Sequence, residues 1–250
     1  MCRVRDRTKI VTLSVVTVPL AWYALSGAAD RDSPLASSPA PAAASAPASP
    51  PAPSPAASPA ASPAAPTPAP APTDPPVVEA GTGTTEVVAG GTQPSGPGRV
   101  TRYSVAVEGG LGIDAVRFAD EVDRTLADPR SWGHDGARGL QRVSSGPVDV
   151  RVVLASPTLT DRMCRPLRTM GRLSCGNGST AVLNSYRWLE GADAYAGRLP
   201  EYRQYLVNHE VGHTLGRGHE DCPAAGRLAP VMMQQTKGVG ACEPSPWPYP

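Results

Sequence analysis

The stretch 199-LPEYRQYLVNHEVGHTLGRGH-219 decides how the rest of the chain is read. Pro200 suits the first turn of a helix, where its missing N–H is not needed, and Glu201 complements the positive helix end. Gly216 supplies the exit, because glycine tolerates positive φ. Between them Tyr202, Tyr205, Leu206, His209 and His213 recur at helical spacing and share one face. The chain has 4 histidines, and only His134 falls outside this window. Residues four apart on an α-helix are surface neighbours, so the imidazoles of His209 and His213 project side by side. That spacing lets two imidazoles bind one Zn²⁺. Glu210 lies about 100° further around the helix, close enough to take a proton from water at the metal without ligating it. Beyond Gly216 the chain can turn back and bring His219 in as a third ligand. Three nitrogen ligands leave a coordination position open for water and substrate, as a catalytic zinc site requires and a closed structural site does not.

The pattern HExxHxxGxxH fixes five residues, several of them scarce here. Multiplying the chain's own residue frequencies puts a chance match on the order of one in 10⁵. Downstream, 229-APVMMQQT-236 holds two methionines, of which Met232, preceded by Val231, is the first candidate and Met233 the second. The run "HEVGHTLGRGH" resembles the metzincin zinc-peptidase signature. That resemblance implies a metzincin-like α+β fold, with His209, His213 and His219 as metal ligands, Glu210 as general base, and Met232 as a methionine turn beneath the imidazoles. "YRQYLVNHEVGHTLGRGHEDCP…APVMMQQT", with "LADPRSW" and "RVVLASPTLTDRMCRPL", is more closely similar to an uncharacterised family of exported actinobacterial domains, from about Val77 to the C-terminus. There are departures. Metzincins carry a further helix after the methionine turn, where this chain has only the Gly- and Pro-rich "QQTKGVGACEPSPWPYP". Some use a tyrosine two positions after that methionine as an extra zinc contact, and Gln234 stands there. Glu220 after His219 resembles the astacin subgroup. No latency segment with a cysteine appears upstream.

Moving towards the N-terminus, 179-STAVLNSYRWL-189 reads as a strand after the turn signal Asn177-Gly178, and 148-VDVRVVLAS-156 as a central strand, nearly continuous in Val and Leu. The segment 140-LQRVSS-145 also reads as a strand. In 113-IDAVRFADEVDRTLADP-129, Ile113, Val116, Ala119, Val122 and Leu126 recur at helical spacing, and Pro129 closes the segment. "TTEVVAGG" and "RVTRYSVAVE" are short, β-rich and partly alternating. Strands, a helix, more strands and a second helix predict an α+β domain, a mixed sheet with two main helices, over residues 77–250.

Ahead of it the chain changes character. More than half of its 30 prolines fall between Pro34 and Pro76, amid Ala and Ser. Such composition cannot bury enough apolar surface to offset chain entropy, so 31–76 reads as a disordered linker. Residues 1–30 begin with the basic "MCRVRDRTK" and continue with an uncharged run from Ile10 to Ala29, which reads as a targeting segment. It is either a cleaved signal peptide, with Ser26 and Ala28 at the cleavage site, or a retained membrane anchor. Both place the domain outside the cytoplasm, secreted or tethered. Cys2 precedes the apolar run. Cys164, Cys175, Cys222 and Cys242 make an even number in a compartment where disulfides persist, and the most local pairing, 164 with 175 and 222 with 242, is preferred.

The formal net charge of +1 offers no bulk attraction for nucleic acid or a membrane surface. Arg162, Arg165, Arg168 and Arg172 recur every three or four residues, as a solvated face or a basic rim for an acidic ligand. His134 reads as an exposed loop histidine rather than part of a second metal site. There is no G-x-S-x-G elbow and no phosphate loop. The expectation is an exported, monomeric zinc endopeptidase acting on a peptide or protein. The alternative is a non-catalytic envelope-binding module that keeps zinc for stability, and a third reading is hydrolysis of a non-protein amide such as a cell-wall link.

Overall fold

Alternation along the strands builds a sheet buried on both faces. Chain order begins with β1 (Thr85–Val87), β2 (Arg99–Glu108), helix α1 (Ala115–Ala127), β3 (Arg138–Arg142), β4 (Val150–Ala155) and helix α2 (Pro157–Met163). Then follow β5 (Cys175–Asn177), β6 (Thr180–Asn184), helix α3 (Ser185–Glu190) and helix α4 (Leu199–Thr214). The computed structural model describes residues 74–250. The targeting segment expected over 1–30, and the linker up to residue 73, lie outside the described residues. Among the described residues no helix is long and apolar enough to cross a membrane.

The strands run in the order β1-β2-β4-β6-β5, with β3 also paired to β2. The β2–β3, β2–β4 and β4–β6 pairs are parallel, and the β1–β2 and β5–β6 pairs antiparallel, so the sheet is mixed. In β4, Val152 and Leu154 enter the main core while Val153 and Ala155 enter a second cluster, and β6 repeats this with Ala181 and Leu183 against Val182. Side chains alternate across a strand, so a near-continuous apolar run marks a strand covered on both sides. The main core also takes in α1 and α4, and the second cluster takes Leu159 of α2 together with Cys164 and Cys175.

The domain is α+β, with α1 and α4 its two longest helices. Asp114 caps α1 by accepting from the Val116 and Arg117 amides. The buried face of α1 is Phe118, Ala119, Val122, Thr125 and Leu126, and Val116 is 62% exposed. The expected stripe is therefore out of phase at Val116. The strand in "STAVLNSYRWL" is shorter than expected. It stops at Asn184, whose side chain caps α3 by accepting from the Tyr186 amide. Helix α2 and strand β5 lie outside the elements expected from the sequence.

Arg203 of α4 ties the chain entering the domain to its core. Its guanidinium donates to the Trp188 carbonyl, lies over the Trp188 ring, pairs with Asp74 and faces Glu121. Asp74, three residues ahead of the expected start at Val77, is thus in contact with the domain. Both preferred disulfides are present, Cys164–Cys175 and Cys222–Cys242, and they fit an oxidising compartment.

Candidate metal centre

The segment Tyr202–Gly212 of α4 is buried almost all the way round, so its histidines are set by packing on several sides. Asn208, just before His209, is fully buried and pins the helix. It accepts from Ser131 Oγ, donates to the Pro246 carbonyl, and its own carbonyl accepts from the Trp132 indole. Helix α4 ends at Thr214, and Gly216 takes φ +82°, the left-handed conformation that its position after the helix requires.

From this exit the chain returns, and His209, His213 and His219 converge with one nitrogen each within 4.8 Å of the others. His209 is buried, His213 half-buried and His219 exposed. His209 Nδ1 lies 2.8 Å from the Val231 carbonyl and His213 Nδ1 lies 2.9 Å from the Arg217 carbonyl. A carbonyl only accepts, so each Nδ1 carries the proton and each Nε2 presents its lone pair. His213 Nε2 and His219 Nε2 stand 3.1 Å apart. Two nitrogens about 2.0–2.1 Å from one tetrahedral ion would stand roughly 3.4 Å apart, so the donor set fits a metal ion. Burial pushes the His209 imidazole down to about 3, with the neighbouring His213 and His219 acting in the same direction. His219 is also lowered, first by burial and then by His213 and Lys237. Neutral imidazoles are the form a metal binds.

Glu210 shares the cleft with these rings. It is 4% exposed, and its Oε2 has no hydrogen-bond partner among the described residues. Burial pushes its carboxyl up to about 8. A buried carboxylate without a partner is costly, and the cost is rational where a cation or a reacting proton sits beside it.

Two glycines, missed in the sequence, let other elements close on the site. A Cβ on Gly212 would stand 2.5 Å from Met232 Sδ and 2.6 Å from Trp132 Cζ2. The sulfur of Met232, itself 1% exposed, thus packs on the helix backbone between His209 and His213. Met233 is instead half-buried and offers its carbonyl to the Tyr205 hydroxyl. A Cβ on Gly176 would stand 2.3 Å from His213 Cβ and 2.9 Å from the Glu210 carbonyl, so β5 lies directly against the helix at the site.

The chain after Met232 is held by a buried glutamine. Gln235 Oε1 accepts from the Tyr195 hydroxyl and the Ser245 amide, and its Nε2 donates to the Pro230 and Ser245 carbonyls. The Tyr205 hydroxyl accepts from the Gln235 amide, and its ring lies 5.2 Å from that of His209. Gln234 is exposed and lines the cleft. The C-terminal tail packs along the domain where the resemblance implied a further helix, with Trp247 under the Arg130 guanidinium and Tyr249 stacked on His134. His134 is an exposed loop residue outside the three-histidine group, as expected.

The Cys222–Cys242 disulfide joins the loop carrying His219 to the segment beyond Met232, across 20 residues of sequence. A closed loop of that length is worth about 3 kcal/mol through the unfolded state. Replacing both cysteines by serine is expected to lower unfolding free energy by about that amount and to weaken metal binding, because His219 sits on the freed loop. Denaturant unfolding and metal titration of the variant check this. Unchanged metal affinity would mean that the helix and Met232 alone position His219.

The model of a family described as "protein of unknown function (DUF3152)" matches residues 71–246. Comparison with the curated proteins and with the solved structures found no match.

Proposed function

The chain belongs to that family, whose description carries no activity, and we propose from the site alone that it is an exported zinc-dependent endopeptidase. The observation that carries the reading is the buried, unpartnered carboxylate of Glu210 in one cleft with three convergent imidazoles. A zinc ion, when bound, supplies a Lewis acid that lowers the pKa of water and polarises a carbonyl. His209, His213 and His219 hold it, with Nδ1 of the first two oriented by the Val231 and Arg217 carbonyls. Glu210 accepts a proton from the attacking water and passes it to the leaving amine. Met232 forms the floor beneath the imidazoles, and the disulfides suit work outside the cytoplasm.

Soft metals that prefer thiolates are disfavoured by an all-imidazole set, and three nitrogens with an open position suit zinc. The competing reading, an envelope-binding module that keeps zinc for stability, gives Glu210 no task, since a structural site needs no base. The test is metal analysis of the exported protein together with incubation against a mixed peptide library. One zinc per chain, and cleavage that a chelator removes and zinc restores, is the expected result. Stoichiometric zinc with no cleavage of any peptide would favour the binding module.

A further inference from the structure

The cleft at the metal centre, about 330 Å³, has a charge pattern that the zinc chemistry does not use. Among the described residues its walls carry two cationic side chains, Arg168 and Lys237, and one acid, Glu210. Arg168 and Lys237 are both exposed, and neither forms an ion pair among the described residues. Arg142 pairs with Asp123, Arg203 with Asp74 and Arg172 with Glu79, whereas Arg168, like most of the described arginines, has no acidic partner, and what sets it apart is its place on the wall of the cleft. Lys237 is one of only two lysines in the chain, the other being Lys9.

Both cations stand on braced supports. Arg168 lies in the loop closed by Cys164–Cys175, where Asp161 accepts from the Thr169 hydroxyl and the Gly171 amide. Lys237 ends the short 3-10 turn Gln235–Lys237, which the buried Gln235 locks to Tyr195, Tyr205 and Ser245. Its ammonium donates to Gln234 Oε1, a neutral partner that leaves the charge uncompensated. The lining also includes Leu167, Leu173 and Tyr205, which supply its apolar part. A pair of unneutralised cations lining a cleft concentrates field and favours an anionic ligand.

We infer that Arg168 and Lys237 form a carboxylate-binding subsite, and that the cleft takes peptides bearing a carboxylate beside apolar residues. This rests on reading the cleft as a peptide site. The carboxylate belongs either to an Asp or Glu side chain or to the peptide's own C-terminus.

The test measures binding without turnover, using the full-length Glu210→Gln protein loaded with zinc and three fluorescein-labelled Ala/Leu hexapeptides. One carries an internal glutamate and an amidated end, one an internal glutamine and a free C-terminal carboxylate, and one an internal glutamine and an amidated end. At least one carboxylate peptide should bind roughly tenfold tighter than the neutral one, the size that two partly exposed charge contacts supply. Which of the two wins identifies the source of the carboxylate. That margin should shrink as salt rises, and vanish when Arg168→Gln and Lys237→Gln are added. Equal affinity for all three peptides, or a margin that survives the double change, would overturn the inference. If the margin appears but the wild-type protein cleaves neither these peptides nor any member of the mixed library, the subsite stands and the peptidase reading fails. Cleavage of acidic and neutral peptides at the same kcat/KM, with no binding margin, would overturn the subsite and leave the peptidase reading standing.

Discussion

Glu210→Gln is expected to reduce peptide cleavage by ~10²–10⁴-fold while leaving bound zinc at the wild-type level, the loss typical of a general base. The side chain touches the metal cleft but is not among the converging nitrogens, so the amide removes a proton acceptor and no ligand. The two side chains are nearly the same size, so the buried site should not collapse or overpack. A second readout reports the burial of this carboxyl independently of activity. The folded carboxyl is pushed up to about 8 by burial, above its ordinary 4.5. Between those values the folded state of the metal-free protein holds a proton that the unfolded state has released, so stability is lost as pH rises through that range. Glutamine removes this slope. Metal-free Glu210→Gln should therefore lose less stability than the metal-free wild type as pH rises from about 5 to about 8. Wild-type rates of cleavage in the variant would end the proposed mechanism, whatever the stability curves show.

The parts of this structure legible in the sequence are those set by local periodicity. Helix α4 and strand β4 carry long, consistent patterns and emerge close to the expected limits, although α4 is buried nearly all the way round and not on one face alone. The three-histidine motif is readable for the same reason, since a spacing of four residues fixes geometry within one helix. What escapes depends on partners distant in sequence. Phe118 rather than Val116 faces the core because α1 settles against Trp188, whose ring lies 4.7 Å from that of Phe118. Strand β5, three residues long, exists by pairing with β6 and carries almost no signal of its own. Asn208 and Gln235 are of residue types that are mostly exposed, yet each is fully buried and bonded to the C-terminal tail. Gly212 in mid-helix reads as a destabilising choice, until the sulfur of Met232 and the Trp132 ring are seen against it. Neither residue is near Gly212 in sequence, so the reason for the glycine is visible only in the folded domain.

His213→Ala should fail in the opposite way to Glu210→Gln, losing the metal first and the activity as a consequence. His213 contributes twice. Its Nε2 faces that of His219 at 3.1 Å, and its Nδ1–H holds the Arg217 carbonyl at 2.9 Å, on the loop that returns His219 to the site. Alanine removes a donor and also releases the segment that positions another. Loss of a partner that only orients a ligand already weakens metal affinity by about 10–100-fold, so loss of a ligand together with its loop contact should exceed roughly 100-fold. Calorimetric titration of the metal-free protein with zinc reads this directly. Thermal unfolding reads it independently: zinc at about 1,000 times its Kd stabilises a protein by ~4 kcal/mol, so the wild type should show a large rise in Tm that the variant lacks at the same concentration. His134→Ala is the matched control, because that ring stacks on Tyr249 at 4.5 Å, outside the three-histidine group. It should bind zinc like the wild type. Undiminished zinc affinity in His213→Ala would show that His213 is no ligand, and the open tri-histidine site that supports the peptidase reading would have to be abandoned.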